Sequence, residues 1–260
     1  VDAAPIQPPL ISPIPRQIDA VARSLSATQI ADLGAAKMAQ SDDLRAVYAH
    51  RWRRSLLFEA PSHIETITSG RHSRRKIGEI VHQALCVSDP NADEKALRTL
   101  TRSLAWERGI TDPKELDAAV REALDLLKQV RHSEIFDWIS AAHEVYRELP
   151  FAFRAGDRQI HGKLDLLLRM PDGEWRIVDY KTDSHPKDER TPAAFERHAS
   201  RYALQVGAYA VAVSRLVGVV PRTFIHYIRY DQRVEIYEAD WREAFSRLEG
   251  FIGELFEDEQ

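Results

Sequence analysis

Apolar residues recur at helical spacing in the first half of the chain and change to a strand-like alternation near residue 148. Within 71–87, apolar side chains form one stripe and predict a helix. Two later starts, at residues 91 and 112, carry the acidic residues that cap helices, and Pro113 is well placed at a first helical position. The predicted helices before residue 148 cover 26–38, 44–60, 71–87, two segments from 91 and from 112, and 133–147.

The second half of the chain has short apolar segments separated by turn residues. Gly156 and the run Pro171-Asp172-Gly173 mark two tight turns, so the flanking segments 148–154, 159–169 and 174–182 are predicted to be strands. A long helix is predicted from Thr191 to Leu216. A hairpin over 223–238 and a closing helix over 241–257 complete an α/β pattern.

The chain divides into three predicted parts. Residues 1–16 contain five of the 13 prolines and are expected to form an extended linker. Residues 17–147 form a helical part, and residues 148–260 form the core with the sheet. Because the chain begins with Val1 rather than Met, we expect it to be a piece of a longer polypeptide.

Composition narrows the class of protein. A hydrophobic fraction of 44% and a net charge of −4 exclude disorder over most of the chain. No apolar run reaches the roughly 20 residues needed to span a bilayer, so no membrane association is expected. The single cysteine, Cys86, excludes an internal disulfide and a cluster built on several thiolates, and a reducing, cytoplasmic setting fits best.

Charged residues in apolar segments indicate where chemistry takes place. Asp165 and Asp179 lie within the second and third predicted strands, where an unpaired carboxylate is costly to bury. Lys181 follows Asp179 by two positions and therefore points to the same side of its strand. Two carboxylates and an ammonium suit a divalent cation with oxygen ligands and a lysine that contacts water. The alternative is a buried Asp–Lys pair that only fixes strand register.

Five separated motifs resemble the RecB-type nucleases of the PD-(D/E)xK superfamily, and most closely the C-terminal nuclease domain of AddA-type helicase–nucleases. The resemblance runs from about residue 70 to residue 230. The motifs, in chain order, are Ile80-Val81-His82-Gln83-Ala84-Leu85, Glu148-Leu149-Pro150-Phe151, Gly162-x-x-Asp165, Asp179-Tyr180-Lys181-Thr182 and Tyr202-x-x-Gln205-x-x-x-Tyr209.

The resemblance implies a fold and a set of roles. The fold is a restriction-endonuclease-like mixed β-sheet flanked by helices, with an N-terminal helical subdomain. The ligands of Mg²⁺ or Mn²⁺ would be His82, Asp165, Asp179 and the carbonyl oxygen of Tyr180. Lys181 would position and help to deprotonate the attacking water and stabilise the phosphorane-like charge. Glu148 would support the ligands or assist a second metal ion. A packed histidine and a helix-terminal glutamate are the alternatives for His82 and Glu148.

DNA contacts are predicted at two places. Gln205 and Tyr209, four residues apart on one helix face, would line the site and contact DNA, unless they only hydrogen-bond the sheet. A basic cluster precedes His82, and its positive charge could neutralise phosphates. That cluster comprises Arg71, Arg74, Arg75 and Lys76. The segment 51–54, with three arginines around Trp52, is a second candidate; solvated helix faces are the alternative for both.

The function implied is metal-dependent hydrolysis of DNA, with an exonuclease preferred over an endonuclease. The expected context is DNA end resection in double-strand break repair. The expected partners are DNA and either a helicase portion of the same polypeptide or a separate helicase–nuclease protein, with the isolated domain a monomer. A catalytically inert DNA-binding or scaffolding module of the same fold is the main alternative. A general α/β hydrolase is disfavoured because no Gly-x-Ser-x-Gly segment is present.

Overall fold

Four helices precede most of the sheet in the computed structural model, which describes residues 24–26, 69–155 and 158–246. The predicted linker, the predicted helices at 26–38 and 44–60 and the arginines of 51–54 lie outside these residues, except that Ser26 ends a short strand. The helices are α1 (Ser69–Val87), α2 (Glu94–Glu107), α3 (Pro113–Arg131) and α4 (Glu134–Ala141).

Carboxylate caps begin two of these helices. Asp93 accepts a hydrogen bond of 2.7 Å from the amide of Ala96 at the start of α2. Asp112 accepts from the amides of Lys114 and Glu115 at the start of α3, where Pro113 has no amide hydrogen to satisfy. These starts agree with the pattern of the sequence.

Helix α4 ends at Ala141, six residues before the predicted end at residue 147. The amide of His143 donates to the carbonyl of Arg169 at 2.8 Å, so the chain already pairs with the sheet at this point. The first long strand accordingly starts at Glu144 and not at Glu148. Pairing with the neighbouring strand therefore overrides the helical spacing of 142–147.

Within the described residues, six strands form one mixed sheet, in the order β1-β3-β4-β5-β6 with β2 along β3. The β1–β3 and β4–β5 pairs are parallel, and the other pairs are antiparallel. The strands are β1 (Ser24–Ser26), β2 (Glu144–Ala155), β3 (Arg158–Arg169), β4 (Trp175–Lys181), β5 (Arg222–Tyr227) and β6 (Gln232–Ile236).

Strand β3 has different neighbours along one of its edges. Residues 159–161 pair with β1 and residues 166–169 pair with β4, whereas β2 pairs along the whole of the other edge. Between these two stretches lies Asp165. The sheet therefore divides at this carboxylate, and the division leaves space for side chains from both sides.

The crossover from β4 to β5 contains two helices rather than the single predicted one. Helix α5 (Pro192–Ala199) is followed by a 3₁₀ turn (Ser200–Tyr202) and by α6 (Ala203–Val217). Thr191 caps α5 through the amide of Ala194 at 3.3 Å, and Gly218 ends α6 with a positive φ of 78°. Residues 238–246 form a further helix, α7.

Helices cover both faces of the sheet. Helices α1–α4 pack on one face, against residues that include Leu166, Leu168 and Val178. Helix α6 packs on the other face, against residues that include Leu167 and Ile177. The fold is thus a mixed sheet flanked by helices with a helical part before it, which confirms the predicted restriction-endonuclease-like class. Within the described ranges, none of the helices is long and apolar enough to cross a membrane.

Candidate metal-dependent active site

Helix α1 places His82 at the division of the sheet. The neighbouring Ile80 and Val81 are fully buried, which fixes the rotation of the helix about its axis. One turn earlier, Gly78 allows close approach, because a Cβ at this position would lie 2.8 Å from the Thr182 Oγ1. The absence of a side chain at Gly78 therefore lets the helix that carries His82 rest against the end of β4.

The imidazole of His82 contacts Asp165. His82 Nδ1 lies 3.1 Å from Asp165 Oδ1. Burial lowers the pKa of His82, but the charge of Asp165 and the hydrogen bond to it outweigh burial, so the pKa is raised above 6.5. Because a metal ligand must be deprotonated, a cation held by His82 would have to displace the proton that this raised pKa favours.

The two oxygens of Asp165 have different partners. Oδ1 faces His82, and Oδ2 accepts a hydrogen bond of 2.8 Å from the amide of Tyr180. This amide is on β4, beyond the last residue pair with β3, Leu166–Val178. The carboxylate thus accepts the hydrogen bond that a carbonyl of a paired strand would accept. It keeps β3 and β4 connected where their backbone pairing ends.

Glu148 faces Asp165 from β2 in an unusual backbone conformation. Its φ is +50°, a left-handed value that costs a non-glycine residue roughly 1–2 kcal/mol. Arg147 and Leu149 on either side remain paired with β3, so the distortion is confined to one residue. Glu148 Oε2 also lies 3.0 Å from Lys163 Nζ.

Glu148, His82 and Asp165 bring three donor atoms to within 4.8 Å of one another. Two carboxylates and one imidazole are suitable ligands for divalent cations such as Mg²⁺ or Mn²⁺, which favour oxygen ligands. The donor chemistry of these residues therefore fits a metal ion at the division of the sheet.

Asp179 and Lys181 form a buried ion pair beside this group. Their side chains are 2% and 15% exposed, and Lys181 Nζ lies 2.7 Å from Asp179 Oδ2. Burial raises the pKa of Asp179, and the ammonium of Lys181 opposes this effect only in part. Burial lowers the pKa of Lys181, but the charge of Asp179 outweighs it and the net pKa is raised. Lys181 is therefore a cation at neutral pH.

Helix α6 and the 3₁₀ turn before it hold the lysine. Gln205 Oε1 accepts from Lys181 Nζ at 3.3 Å, and Gln205 Nε2 donates to the Tyr209 hydroxyl at 2.6 Å. The ring of Tyr202 lies 4.1 Å from Lys181 Nζ, a cation–π contact. Burial raises the pKa of Tyr209 well above its usual value, so this hydroxyl stays neutral.

Comparison with known proteins is consistent with this geometry. The family model described as the PD-(D/E)XK nuclease superfamily matches residues 26–258. The chain belongs to the PD-(D/E)XK nuclease superfamily. The predicted resemblance to this superfamily is therefore confirmed.

Relatives in the superfamily include ATP-dependent helicase/nuclease proteins of the AddA type. The protein from Lysinibacillus sphaericus is 33% identical over 94 residues, 34% of this chain and 8% of the relative. The protein from Staphylococcus saprophyticus is 22% identical over 197 residues, 68% of this chain and 15% of the relative. The chain thus spans less than a fifth of the length of these AddA-type relatives.

A solved structure shares the fold. It is a candidate exonuclease from Eubacterium rectale, with a TM-score of 0.59 and 16% identity, covering 93% of this chain and 83% of that chain. At this level of identity, the match supports the fold and carries no information about individual side chains.

The superfamily motifs converge in space, although not as a single set of ligands. His82, Glu148 and Asp165 form the three-donor group, whereas Asp179 pairs with Lys181. The sequence predicts that Asp179 and Lys181 lie on the same side of their strand, and their contact agrees with this. The ligand roles, including that of the Tyr180 carbonyl oxygen, stay predictions.

Two of the basic residues before His82, Arg74 and Arg75, lie on the exposed side of α1. Arg75 pairs with Glu79 at 3.6 Å, and Arg74 donates to Ser184 Oγ at 3.1 Å, next to the end of β4. Lys76 is half-buried, and the side chain of Arg71 lies outside the described residues. Of these basic residues, Arg74 has a contact close in sequence to Lys181, because Ser184 follows this lysine by three positions.

Two contacts of the site were not predicted. Tyr202 opens the motif that contains Gln205, and its helical spacing of three from Gln205 was a usable signal for a shared face. Lys163 lies two positions before Asp165 on the same strand, but only the cross-strand register with β2 brings it to Glu148. That contact depends on pairing, which spacing within one segment does not reveal.

Proposed function

We propose that this chain is the nuclease domain of a helicase–nuclease, and that it hydrolyses DNA phosphodiester bonds with Mg²⁺ or Mn²⁺. The observation that carries the proposal is the three-donor group of His82, Glu148 and Asp165 next to a buried, charged lysine. In nucleases a divalent cation binds phosphate oxygens and lowers the pKa of bound water.

His82, Glu148 and Asp165 would hold the cation. Asp165 is already oriented by the Tyr180 amide and His82 by the helix, so little rearrangement is needed. Asp179 lies alongside, and its charge interacts with both Asp165 and His82. We therefore assign Asp179 a ligand role that begins when a cation competes with Lys181 for its carboxylate.

Lys181 would stabilise negative charge as water attacks the phosphate. Its raised pKa keeps it protonated. This favours the charge-stabilising part of the role that the resemblance implied over the deprotonation of water. Gln205 and Tyr202 fix the direction of the ammonium. Preorganised donors of this kind contribute about 10²–10³-fold in rate.

DNA would reach the cation past the start of α1. Arg74 lies beside the loop that follows Lys181, and we propose that Arg71, Arg75 and Lys76 of the same helix also bind phosphates. Gln205 is proposed to contact the substrate as well as Lys181. Tyr209 is buried, so it would act through its hydrogen bond with Gln205. The whole chain carries a net charge of −4, so phosphate binding depends on this local patch.

The biological context of the proposal is DNA end resection in recombinational double-strand break repair. The relatives are named as ATP-dependent helicase/nuclease proteins, and that name supports a coupling to helicase activity. We propose a cytoplasmic enzyme, an exonuclease in preference to an endonuclease, whose isolated nuclease domain is monomeric.

The test compares cleavage of linear DNA with and without Mg²⁺ by the parent protein and by Asp165→Asn. We expect Mg²⁺-dependent cleavage by the parent and a loss of at least about a hundredfold in the variant. Asp125→Asn, on the exposed side of α3, is the matched control and should cleave normally. DNA binding without cleavage by the parent would favour the inert scaffolding module instead.

A further inference from the structure

We propose that His185, Glu189 and His198 form a second metal site, which binds Zn²⁺ or a similar transition-metal dication. One ring nitrogen from each histidine and one carboxylate oxygen of Glu189 lie within 4.8 Å of one another. These residues belong to the crossover between β4 and β5 and contribute nothing to the nuclease site. The inference therefore does not depend on the proposed nuclease activity.

The distances suit a tetrahedral site after small shifts of the side chains, because all three donor atoms already lie within 4.8 Å of one another. His198 Nε2 lies 3.1 Å from Glu189 Oε2, and the rings of His185 and His198 are 4.5 Å apart between centroids. Ligand atoms about 2.0–2.1 Å from Zn²⁺ in a tetrahedron are about 3.3 Å from one another. The Glu189–His198 edge already has nearly this length.

His185 has an unsatisfied nitrogen in a fixed ring. Its Nε2 is buried and has no hydrogen-bond partner within the described part of the chain. The ring packs against Phe195, Tyr227 and Tyr230, with centroids 5.5–5.8 Å away. Buried polar atoms are normally satisfied, and metal coordination is a way in which a buried imidazole is satisfied.

The donor set selects the class of metal. Two imidazoles and one carboxylate suit Zn²⁺ and neighbouring transition metals, whereas Mg²⁺ and Ca²⁺ favour all-oxygen sites. Glu189 is 46% exposed and His198 15% exposed, so a cation can enter from solvent and keep a water as its fourth ligand. His185 provides the buried side of the site.

A metal ion here would brace the crossover that follows β4. His185 lies in the loop after β4, Glu189 in a short 3₁₀ helix (Lys187–Glu189), and His198 in the last turn of α5. The loop is also held by a hydrogen bond of 2.7 Å from the His185 amide to the Tyr230 hydroxyl. The three ligands would join the segment that follows Lys181 to the helix that leads to Tyr202.

The experiment measures Zn²⁺ binding by the full chain in the Asp165→Asn background, where the nuclease site is impaired. Equilibrium dialysis with Zn²⁺ in the presence of excess Mg²⁺, followed by metal analysis, should find one Zn²⁺ per chain, and Zn²⁺ should raise the Tm. Adding His198→Gln or Glu189→Gln should weaken Zn²⁺ affinity by more than about a hundredfold and remove the Tm shift.

His132→Gln is the matched control, because His132 is an exposed histidine at the end of α3 and should leave Zn²⁺ binding unchanged. Circular dichroism of each variant without metal separates loss of the site from loss of the fold. The proposal is overturned if Zn²⁺ does not bind, or if His198→Gln and Glu189→Gln bind it as tightly as their parent. It is also overturned if Zn²⁺ binds only when Asp165 is intact, since the ion would then occupy the nuclease site.

Discussion

His82 and Asp165 are 83 positions apart in the chain, yet His82 Nδ1 lies 3.1 Å from Asp165 Oδ1. The contact joins the first described helix to the central strand of the sheet. Neither side chain is positioned by its neighbours in sequence alone. Helix packing orients His82, and strand pairing orients Asp165, so the candidate site depends on the docking of the two layers.

The close approach at Gly78 makes this docking testable. Gly78→Ala places a methyl group 2.8 Å from Thr182 Oγ1 and should push α1 away from the end of β4. We expect DNA cleavage to fall between a few-fold and about a hundredfold. The stability should change little, because alanine gains about 1 kcal/mol of helix propensity, which offsets the strain. Steady-state cleavage rates and urea denaturation measure the two effects.

Thr182→Ala provides the control for this steric explanation. The double variant Gly78→Ala with Thr182→Ala removes the clashing oxygen and should recover most of the lost cleavage. If the double variant is as impaired as Gly78→Ala alone, the methyl group acts through some other contact.

The left-handed backbone of Glu148 predicts opposite effects on stability and function. Glu148→Gly relieves the strain at φ = 50° and should be more stable than Glu148→Gln by about 1 kcal/mol. Both variants lose the carboxylate, so both should bind Mn²⁺ more weakly than the parent. Chemical denaturation and metal titration of the two variants check the prediction, and equal stabilities would show that no strain is stored there.

The Asp179–Lys181 pair predicts a strong coupling. Lys181→Met leaves Asp179 buried without its partner and should destabilise the metal-free protein by about 3–5 kcal/mol. The double variant Asp179→Asn with Lys181→Met removes both charges and should recover most of this loss. Both variants should lack cleavage, so denaturation is the measurement that distinguishes them.

A double-mutant cycle completes that experiment. Asp179→Asn alone is the fourth corner, and a coupling energy near zero between the two substitutions would contradict the buried ion pair.

The raised pKa of His82 predicts a pH dependence whose sign depends on the metal. Without metal, the protonated imidazole stabilises the fold through Asp165; this stabilisation is fully present below pH 6.5 and is lost as the pH rises through the folded pKa. With Mn²⁺ the dependence reverses, because the ligand must be deprotonated and binding strengthens with rising pH. Denaturation curves from about pH 6 to about pH 8, with and without Mn²⁺, measure both trends.

His82→Gln serves as the reference in that series. Without metal, the stability of this variant should not fall as the pH rises through the range in which His82 titrates. Its Mn²⁺ binding should also depend less on pH than that of the parent. Identical pH profiles for the parent and His82→Gln would assign the titration to another group.

Sequence patterns predicted most of the sheet, because turn residues such as Gly173 fix where antiparallel neighbours meet. The predicted order of elements also located His82, Asp165 and Lys181 on α1, β3 and β4. Two helix boundaries could not be predicted from the residues close to them in the sequence. The end of α4 is set by pairing with Arg169, and the break before α6 lies within a segment whose spacing indicates one continuous helix.

The side-chain contacts of the site were predictable in part. The strand period correctly predicted that Asp179 and Lys181 share a side, because successive side chains alternate. Their contact at 2.7 Å matches the alternative of a buried Asp–Lys pair. The strand period did not predict that Glu148 completes a donor group with Asp165. That grouping follows from the register of β2 along β3, which a single sequence does not specify.

Because the two oxygens of Asp165 have different partners, the site is expected to keep its shape when a metal ion dissociates and another binds. One oxygen closes the gap between separating strands, and this bond does not require a cation. When an ion dissociates, the Asp165 carboxylate would therefore keep its orientation, and the end of β4 would stay in place. The conformational entropy of the Asp165 side chain is therefore lost when the polypeptide folds. Each ion that binds later does so at a preorganised ligand and does not have to order it.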